Sequence, residues 1–182
     1  MDSPLKTAHA ETSEGLSGTG IFVWAILGVL ALLGQAIFRL TQVTLEAFNS
    51  GLMTSTQWVV CGVWVVANCY MEGHRGFHLK FVPRVLARAH HLAEHPQPFR
   101  VLVAPLFAMA FFSASKKAKA AAWGVTVLVI LAIWLVRSLD QPLRGIIDAG
   151  VVAGLAWGAT SLLVGAIGRL LGKAPSGSPQ LN

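Results

Sequence analysis

The apolar stretch VLVAPLFAMAFFSA, residues 101–114, decides how this chain is arranged. At about 1.5 Å per residue, a helix of this length reaches only about 21 Å, short of the roughly 30 Å hydrocarbon layer of a bilayer. Pro105 lies inside the stretch, and Lys116, Lys117 and Lys119 follow it. We therefore predict a half-buried hairpin, a half-span or an interfacial helix here. The alternative is a short tilted span in a thinned bilayer.

The composition of the whole chain indicates a membrane protein. Of the 182 residues, 54% are hydrophobic and only 12% are charged, whereas about 25% are charged in a soluble protein. So few charges could not cover the surface of a soluble domain. A lone strand cannot satisfy its backbone in lipid, so the apolar segments are predicted to be helices. The fold class is an all-α, polytopic helical membrane protein; collagen-like, disordered and disulfide-scaffold classes are excluded.

Four longer apolar segments surround the short one, each near the ~20 residues that cross a bilayer. They predict transmembrane helices over residues 21–40, 54–71, 120–136 and 145–168. Thr54 can cap the second helix with its side-chain oxygen, and Gly51 can adopt the left-handed backbone conformation that ends the first helix. The polar ends predict disordered tails over residues 1–19 and 169–182, which flank a membrane domain of residues 20–168.

The distribution of Lys and Arg predicts the orientation of these spans. With four spans and a cytoplasmic N-terminus, eleven basic residues lie inside and three outside; a fifth span over residues 101–114 would change this to eight and six. The positive-inside rule favours four spans. We expect a multi-pass protein of the cell inner membrane, with both termini and the basic segment 72–119 in the cytoplasm.

The cytoplasmic segment contains a predicted amphipathic helix. Arg84, Arg88, His91 and His95 recur at helical spacing on one face, opposite Val, Leu and Ala. Such a helix docks on anionic lipid headgroups, binds a protein partner or simply lies in solvent. Residues 72–77 before it contain two glycines and predict a tight turn that leaves the second span. The side chains predicted to bind lipid or a partner are Arg75, Lys80, Arg84, Arg88, His91, His95, Lys116, Lys117 and Lys119.

The end of this helix carries an H-x-x-E-H motif. His91 and His95 share a helix face and could both bind one zinc, with Glu94 as the base of an inverted zincin. A catalytic zinc needs a third protein ligand, and the downstream acids Asp140 and Asp148 are expected near the far side of the membrane. We predict no catalytic residues and no cofactor, with His91 and His95 as metal candidates and solvated histidines as the alternative.

The last span carries a row of glycines, Gly150, Gly154 and Gly158, at four-residue spacing. This spacing lets another helix backbone approach closely. Packing within the chain against the span over residues 21–40 or 120–136 is one interpretation. Self-association and contact with a partner subunit are the others.

Asp148 and Arg144 are the polar groups at the membrane edge of the last span. They are one helical turn apart and could neutralise each other. Acids within the membrane are functional candidates by default, but Asp148 lies close to a helix N-terminus, where a carboxylate suits the helix dipole. A capping and anchoring role is the favoured interpretation.

No motif in the chain identifies a process. The basic residues flank apolar segments and form no separate domain, so nucleic acid is not expected as a partner. We predict a non-enzymatic accessory, assembly or scaffold component whose partners are anionic lipids and a membrane protein or a second copy. The alternatives are an oligomeric small transporter or channel, and a membrane enzyme acting on lipid through His91, Glu94 and His95.

Overall fold

The computed structural model describes the backbone of residues 4–172 and the side chains of residues 18–172. All regular elements in this part of the chain are helices, which agrees with the predicted all-α class. The α-helices are α1 (Pro4–Asn49), α2 (Ser55–Asn68), α3 (Val82–Glu94), α4 (Pro98–Leu102), α5 (Ala104–Ala108), α6 (Lys116–Arg137) and α7 (Leu143–Leu170), and a π-helix over Cys69–Phe81 joins α2 to α3.

The tight turn predicted over residues 72–77 is wrong. The backbone stays helical from Ser55 to Glu94, with right-handed helical angles at both ends of the π-helix. The glycine that suggested a turn serves packing instead. Gly73 is buried, and a Cβ there would lie 2.8 Å from Cβ of Trp157 in α7. We call this unbroken element, residues 55–94, the long helix.

The long helix forms a bundle with α1 and α7. It runs antiparallel to α1, since the Phe48 ring lies 4.9 Å from the Trp58 ring and Gly18 lies against the Ala93 carbonyl. It runs parallel to α7, whose Gly165 lies against Leu86. The bundle therefore has a turn end, with the connections 50–54 and 138–142, and a tail end, with Gly18, Glu94 and Leu170.

The two helix ends at the turn end have the caps that the sequence predicts. Gly51 takes a φ of 69° directly after α1, a conformation that suits glycine. The Thr54 hydroxyl accepts a hydrogen bond from the Gln57 backbone N–H at 3.3 Å, and the Gln57 side-chain oxygen accepts one from the Thr54 backbone N–H at 2.9 Å. This reciprocal capping box starts the long helix.

The short apolar stretch 101–114 forms no membrane-length helix. It contributes to α4 and α5, which pack beside α1 in the half of the bundle nearer the tail end. After α5 the chain turns back, so that Phe107, Phe112 and Ser113 all contact Arg88, and we call residues 98–114 the hairpin. The Trp24 indole donates to the Val101 carbonyl at 3.1 Å. Pro105 fills the space beside Gly28, where a Cβ would lie 2.9 Å from the proline Cβ.

Three of the described helices are long and apolar enough to cross a membrane, over Gly18–Asn49, Lys116–Arg137 and Leu143–Leu170. They include the predicted spans 21–40, 120–136 and 145–168. The predicted span 54–71 is not among them, because α2 has only 14 residues before the long helix becomes polar. The helices α1 and α7 also extend into the predicted tails; residues 1–3 and 173–182 of those tails lie outside the described part.

Helix α6 is nearly separate from the bundle. None of the residues in its apolar window is buried. It is attached near its N-terminus, where Ala118 is buried with Ala110 and Ala114 and the Trp123 ring lies 5.5 Å from the Phe111 ring. Its remaining surface is available to lipid or to another chain.

Candidate functional site

The candidate site is the hydrophilic part of the long helix, residues 72–80, which we call the polar segment. Its sequence is EGHRGFHLK. Phe77 lies against Gly158, near the middle of the apolar helix α7. The polar segment therefore lies halfway between the turn end and the tail end, at the depth where α1 and α7 are apolar. Ionisable residues at such depth mark functional sites more often than chance.

The glycine row of α7 is what brings the polar segment against that helix. A Cβ on Gly150 would lie 2.8 Å from Nδ2 of Asn68, and a Cβ on Gly158 would lie 2.5 Å from Cγ of Phe77. At Gly154, the Glu72 Cβ and carboxylate would be 3.3 and 3.4 Å away. The glycines thus pack within the chain, against the long helix and not against the span over 21–40 or 120–136 as predicted.

Aromatic and imidazole rings form a row along the polar segment. Tyr70 stacks on His74 with ring centroids 6.1 Å apart, and His74 stacks on His78 at 5.4 Å. Nδ1 of His78 lies 3.2 Å from the Ser161 hydroxyl of α7, and the Trp157 ring meets His74 edge-on at 6.5 Å. The row joins two helices by polar contacts at mid-depth.

Arg75 and Lys80 of the polar segment point away from the bundle, whereas the Glu72 carboxylate lies at its edge against Gly154 of α7. Glu72, Arg75 and Lys80 are all exposed. Within the described residues, the one ion pair joins His90 to Glu94, so these three charges are not paired with each other or with α7. The polar segment thus presents unpaired positive charge on the outer surface of the bundle, with the Glu72 carboxylate at the edge of that surface beside α7.

The other predicted contact residues are spread along the tail half of the molecule. Arg84 is half-buried, His91 is half-buried, and His95 is exposed. At the start of α6, Lys116 and Lys117 are exposed and Lys119 is half-buried. They do not form a single face with Arg75, which lies at mid-depth; Lys80 lies one helical turn before Arg84, between the two groups.

Arg88 is not a surface residue, contrary to the prediction. It is only 1% exposed. Its guanidinium donates to the carbonyls of Phe107, at 2.7 Å, Phe112, at 2.9 Å, and Ser113, at 3.2 Å, and lies over the Phe107 ring. Burial and the charge of Arg100 lower the pKa of Arg88 to about 10, so it stays charged at neutral pH. It holds the end of the short hairpin against the long helix.

The histidine motif brings its three donors together. One ligand atom each from His91, Glu94 and His95 lies within 4.8 Å of the others. Burial lowers the pKa of His91, with His95 adding to the effect, which favours the neutral, ligating form. However, Nε2 of His90 already lies 2.9 Å from the Glu94 carboxylate. With Glu94 as the third ligand, the set would have no separate base, so it fits a bound metal better than a zincin.

Asp148 and Arg144 form no direct ion pair, although the Arg144 charge acts on the Asp148 carboxyl at longer range. Asp148 is buried and Arg144 is half-buried, but they are not within ion-pair distance. Asp148 lies beside Ile147, whose carbonyl accepts the Trp64 indole hydrogen bond at 3.2 Å. This places the carboxyl inside the turn end of the bundle and away from any outer surface.

Glu72 and His74 were not expected to be site residues because residues 72–77 were predicted to form a turn, and His78 directly follows that turn. The spacing of Tyr70, His74 and His78 is a helical signal that could have revealed them. Their partners on α7 could not be read from the sequence. The chain as a whole matches no protein-family model, no curated protein and no solved structure.

Proposed function

We propose that this protein is a multi-pass subunit of an inner-membrane assembly, with a non-enzymatic accessory or scaffold role. In this proposal the chain crosses the membrane four times, through α1, the long helix, α6 and α7, and both termini are cytoplasmic. The basic residues support this orientation, since Arg100, Lys116, Lys117 and Arg169 lie toward the tail end.

The observation that carries the proposal is the outward charge of the polar segment. A charged side chain at the bilayer centre costs roughly 2.5–3.5 kcal/mol on insertion scales. Arg75, which lies at that depth and points outward, would make an isolated chain unfavourable in lipid, and Lys80 and Glu72 add charge on either side of it. A partner that covers them with polar groups removes that cost. The polar segment has two cations and one acid, so a different protein with an excess of acidic or amide groups suits it better than a second copy.

Helix α6 gives independent support to an assembly role. Its apolar surface is unpacked over most of its length. Within a single chain, apolar helices pack against one another wherever small residues allow close contact. An assembly in which α6 contacts a partner helix accounts for its separation from the bundle.

The test is capture of the partner by the intact protein, with Arg75→Ala as the variant. We expect gently extracted wild-type protein to carry a stoichiometric second chain in native mass spectrometry. Arg75→Ala should reduce the bound fraction by about tenfold, because it removes a charge-assisted contact worth about 1.4 kcal/mol. Arg39→Ala is the matched control, because Arg39 is an exposed arginine of α1 outside the polar segment.

The proposal fails if the wild-type protein is a monomer with lipid or detergent alone, or if both arginine variants lose the partner equally. A homodimer in place of a second chain would also count against it.

Transport is the second candidate function, and the row of aromatic and imidazole rings along the polar segment favours it. Tyr70, His74 and His78 form a row of stacked rings at mid-depth, and His78 lies within hydrogen-bond distance of Ser161 at its end. For a transporter, we expect proton or cation flux in proteoliposomes that is lost in His78→Leu and kept in His90→Leu. Absence of flux from the wild-type protein, alone and with its partner, would remove this candidate.

A further inference from the structure

A cleft between α6 and the bundle is lined almost entirely by apolar side chains. It encloses a cavity of about 120 Å³. Val125 and its neighbours line it from α6, Met109 and Phe111 line it from the end of the hairpin, and Phe81 and Val85 line it from the long helix. The Thr126 hydroxyl donates within its own helix to Ala122, at 2.9 Å. The cleft thus offers a surface for hydrocarbon.

Arg84 is the one ionisable residue of the lining. Its Nε donates to the Lys80 carbonyl at 2.8 Å, which holds the guanidinium along the helix. Among the described residues, no carboxylate pairs with it. A half-buried guanidinium beside an apolar cleft lacks a counter-ion, and phosphate is the anion whose geometry matches its fork of donors.

The depth of Arg84 matches that of a lipid phosphate. Val82 and Leu86, on either side of it, meet Gly165 of α7, close to the tail end of the apolar run 145–168. In the structure the hydrogen bond to Lys80 turns the guanidinium back toward mid-depth. Released from that carbonyl, an arginine one turn inside this boundary is long enough to place its charged end at the headgroup layer while its stem stays in apolar surroundings. Lys116 and Lys117 begin α6 at the same end and add positive charge there.

We propose that this cleft binds one anionic phospholipid, with its phosphate on Arg84 and an acyl chain between α6 and the long helix. The acyl chain fills the cleft, whose apolar walls would otherwise lack van der Waals partners. The headgroup supplies the counter-ion of Arg84. The site is separate from the polar segment, since none of residues 72–80 lines the cleft.

The experiment compares retention of two lipids that have the same acyl chains, phosphatidylglycerol and phosphatidylcholine, on the full-length protein by native mass spectrometry. The wild-type protein should retain one phosphatidylglycerol about tenfold more strongly. Arg84→Gln should abolish this preference and leave weak retention of both lipids. Arg39→Gln, a change at an exposed arginine of α1 outside the cleft, should leave the preference within about twofold of wild type.

A second variant tests the acyl chain without changing charge. Ala122→Phe adds bulk inside the cleft and should weaken retention of both lipids while thermal unfolding in detergent stays cooperative. Equal retention of the two lipids by wild type, or an unchanged preference in Arg84→Gln, would overturn the proposal. A second copy of the chain seated against α6, with lipid displaced, would overturn it as well.

Discussion

Arg88→Met is expected to destabilise the protein by about 3–5 kcal/mol, the largest effect of any single side chain described here, because three backbone carbonyls lose their donor together. The substitution removes the donors that satisfy the carbonyls of Phe107, Phe112 and Ser113. A buried acceptor left without a donor costs about 1–3 kcal/mol. Methionine keeps most of the volume, so the loss comes from hydrogen bonding and not from a cavity.

Denaturant unfolding in detergent, followed by tryptophan fluorescence, measures this effect. Arg137→Met is the control, because Arg137 is exposed at the end of α6. It should change the free energy of unfolding by less than about 0.5 kcal/mol. Equal effects of the two substitutions would show that Arg88 does not anchor the hairpin, and a stabilised Arg88→Met would show that the buried charge is a net cost.

Gly158→Leu is expected to destabilise the bundle by about 3 kcal/mol, since the added side chain must displace the Phe77 ring. Even a Cβ at this position would lie 2.5 Å from Cγ and 2.6 Å from Cδ1 of Phe77. That ring is held in turn by Phe81, whose centroid is 5.2 Å away. The long helix and α7 would have to move apart, which also separates His78 from Ser161.

Gly124→Leu is the matched control for this substitution. It changes the same residue type in a transmembrane-length helix, but nothing lies within 4 Å of a Cβ at Gly124. It should be neutral or stabilising by up to about 1 kcal/mol, because leucine favours the helix over glycine. If Gly158→Leu instead dissociates an oligomer and leaves the monomer's unfolding unchanged, the glycine row is an intermolecular contact and the packing described here is wrong.

The class of the protein and the ends of its helices followed from local properties of the sequence. Low charge and long apolar runs predicted membrane helices, since hydropathy and length depend on nothing distant in the chain. Thr54 and Gly51 marked their helix ends because caps act over three or four residues. The stretch 101–114 was too short to span, and it forms only short helices.

The course of residues 72–81 could not be predicted in this way. Polar residues and two glycines are typical of a turn, and only packing against α7 keeps them helical. The contact between His78 and Ser161 joins residues 83 positions apart. Local sequence patterns cannot predict a contact between residues so far apart. This contact is part of what makes the segment predicted as a turn the candidate site.

Arg88 is a second residue whose environment could not be predicted from the sequence: it was expected on the surface and is buried. Its spacing with Arg84, His91 and His95 placed it on a basic face, and that spacing is real. Helical periodicity does not predict what covers a helix face. Here the hairpin folds back over this face and supplies carbonyls from residues 107–113. The sequence by itself determined which segments are helical and apolar, because those properties arise within a few residues. The tertiary structure alone decided which polar side chains are buried and which are exposed at mid-depth, because burial depends on partners that the chain brings together from far apart.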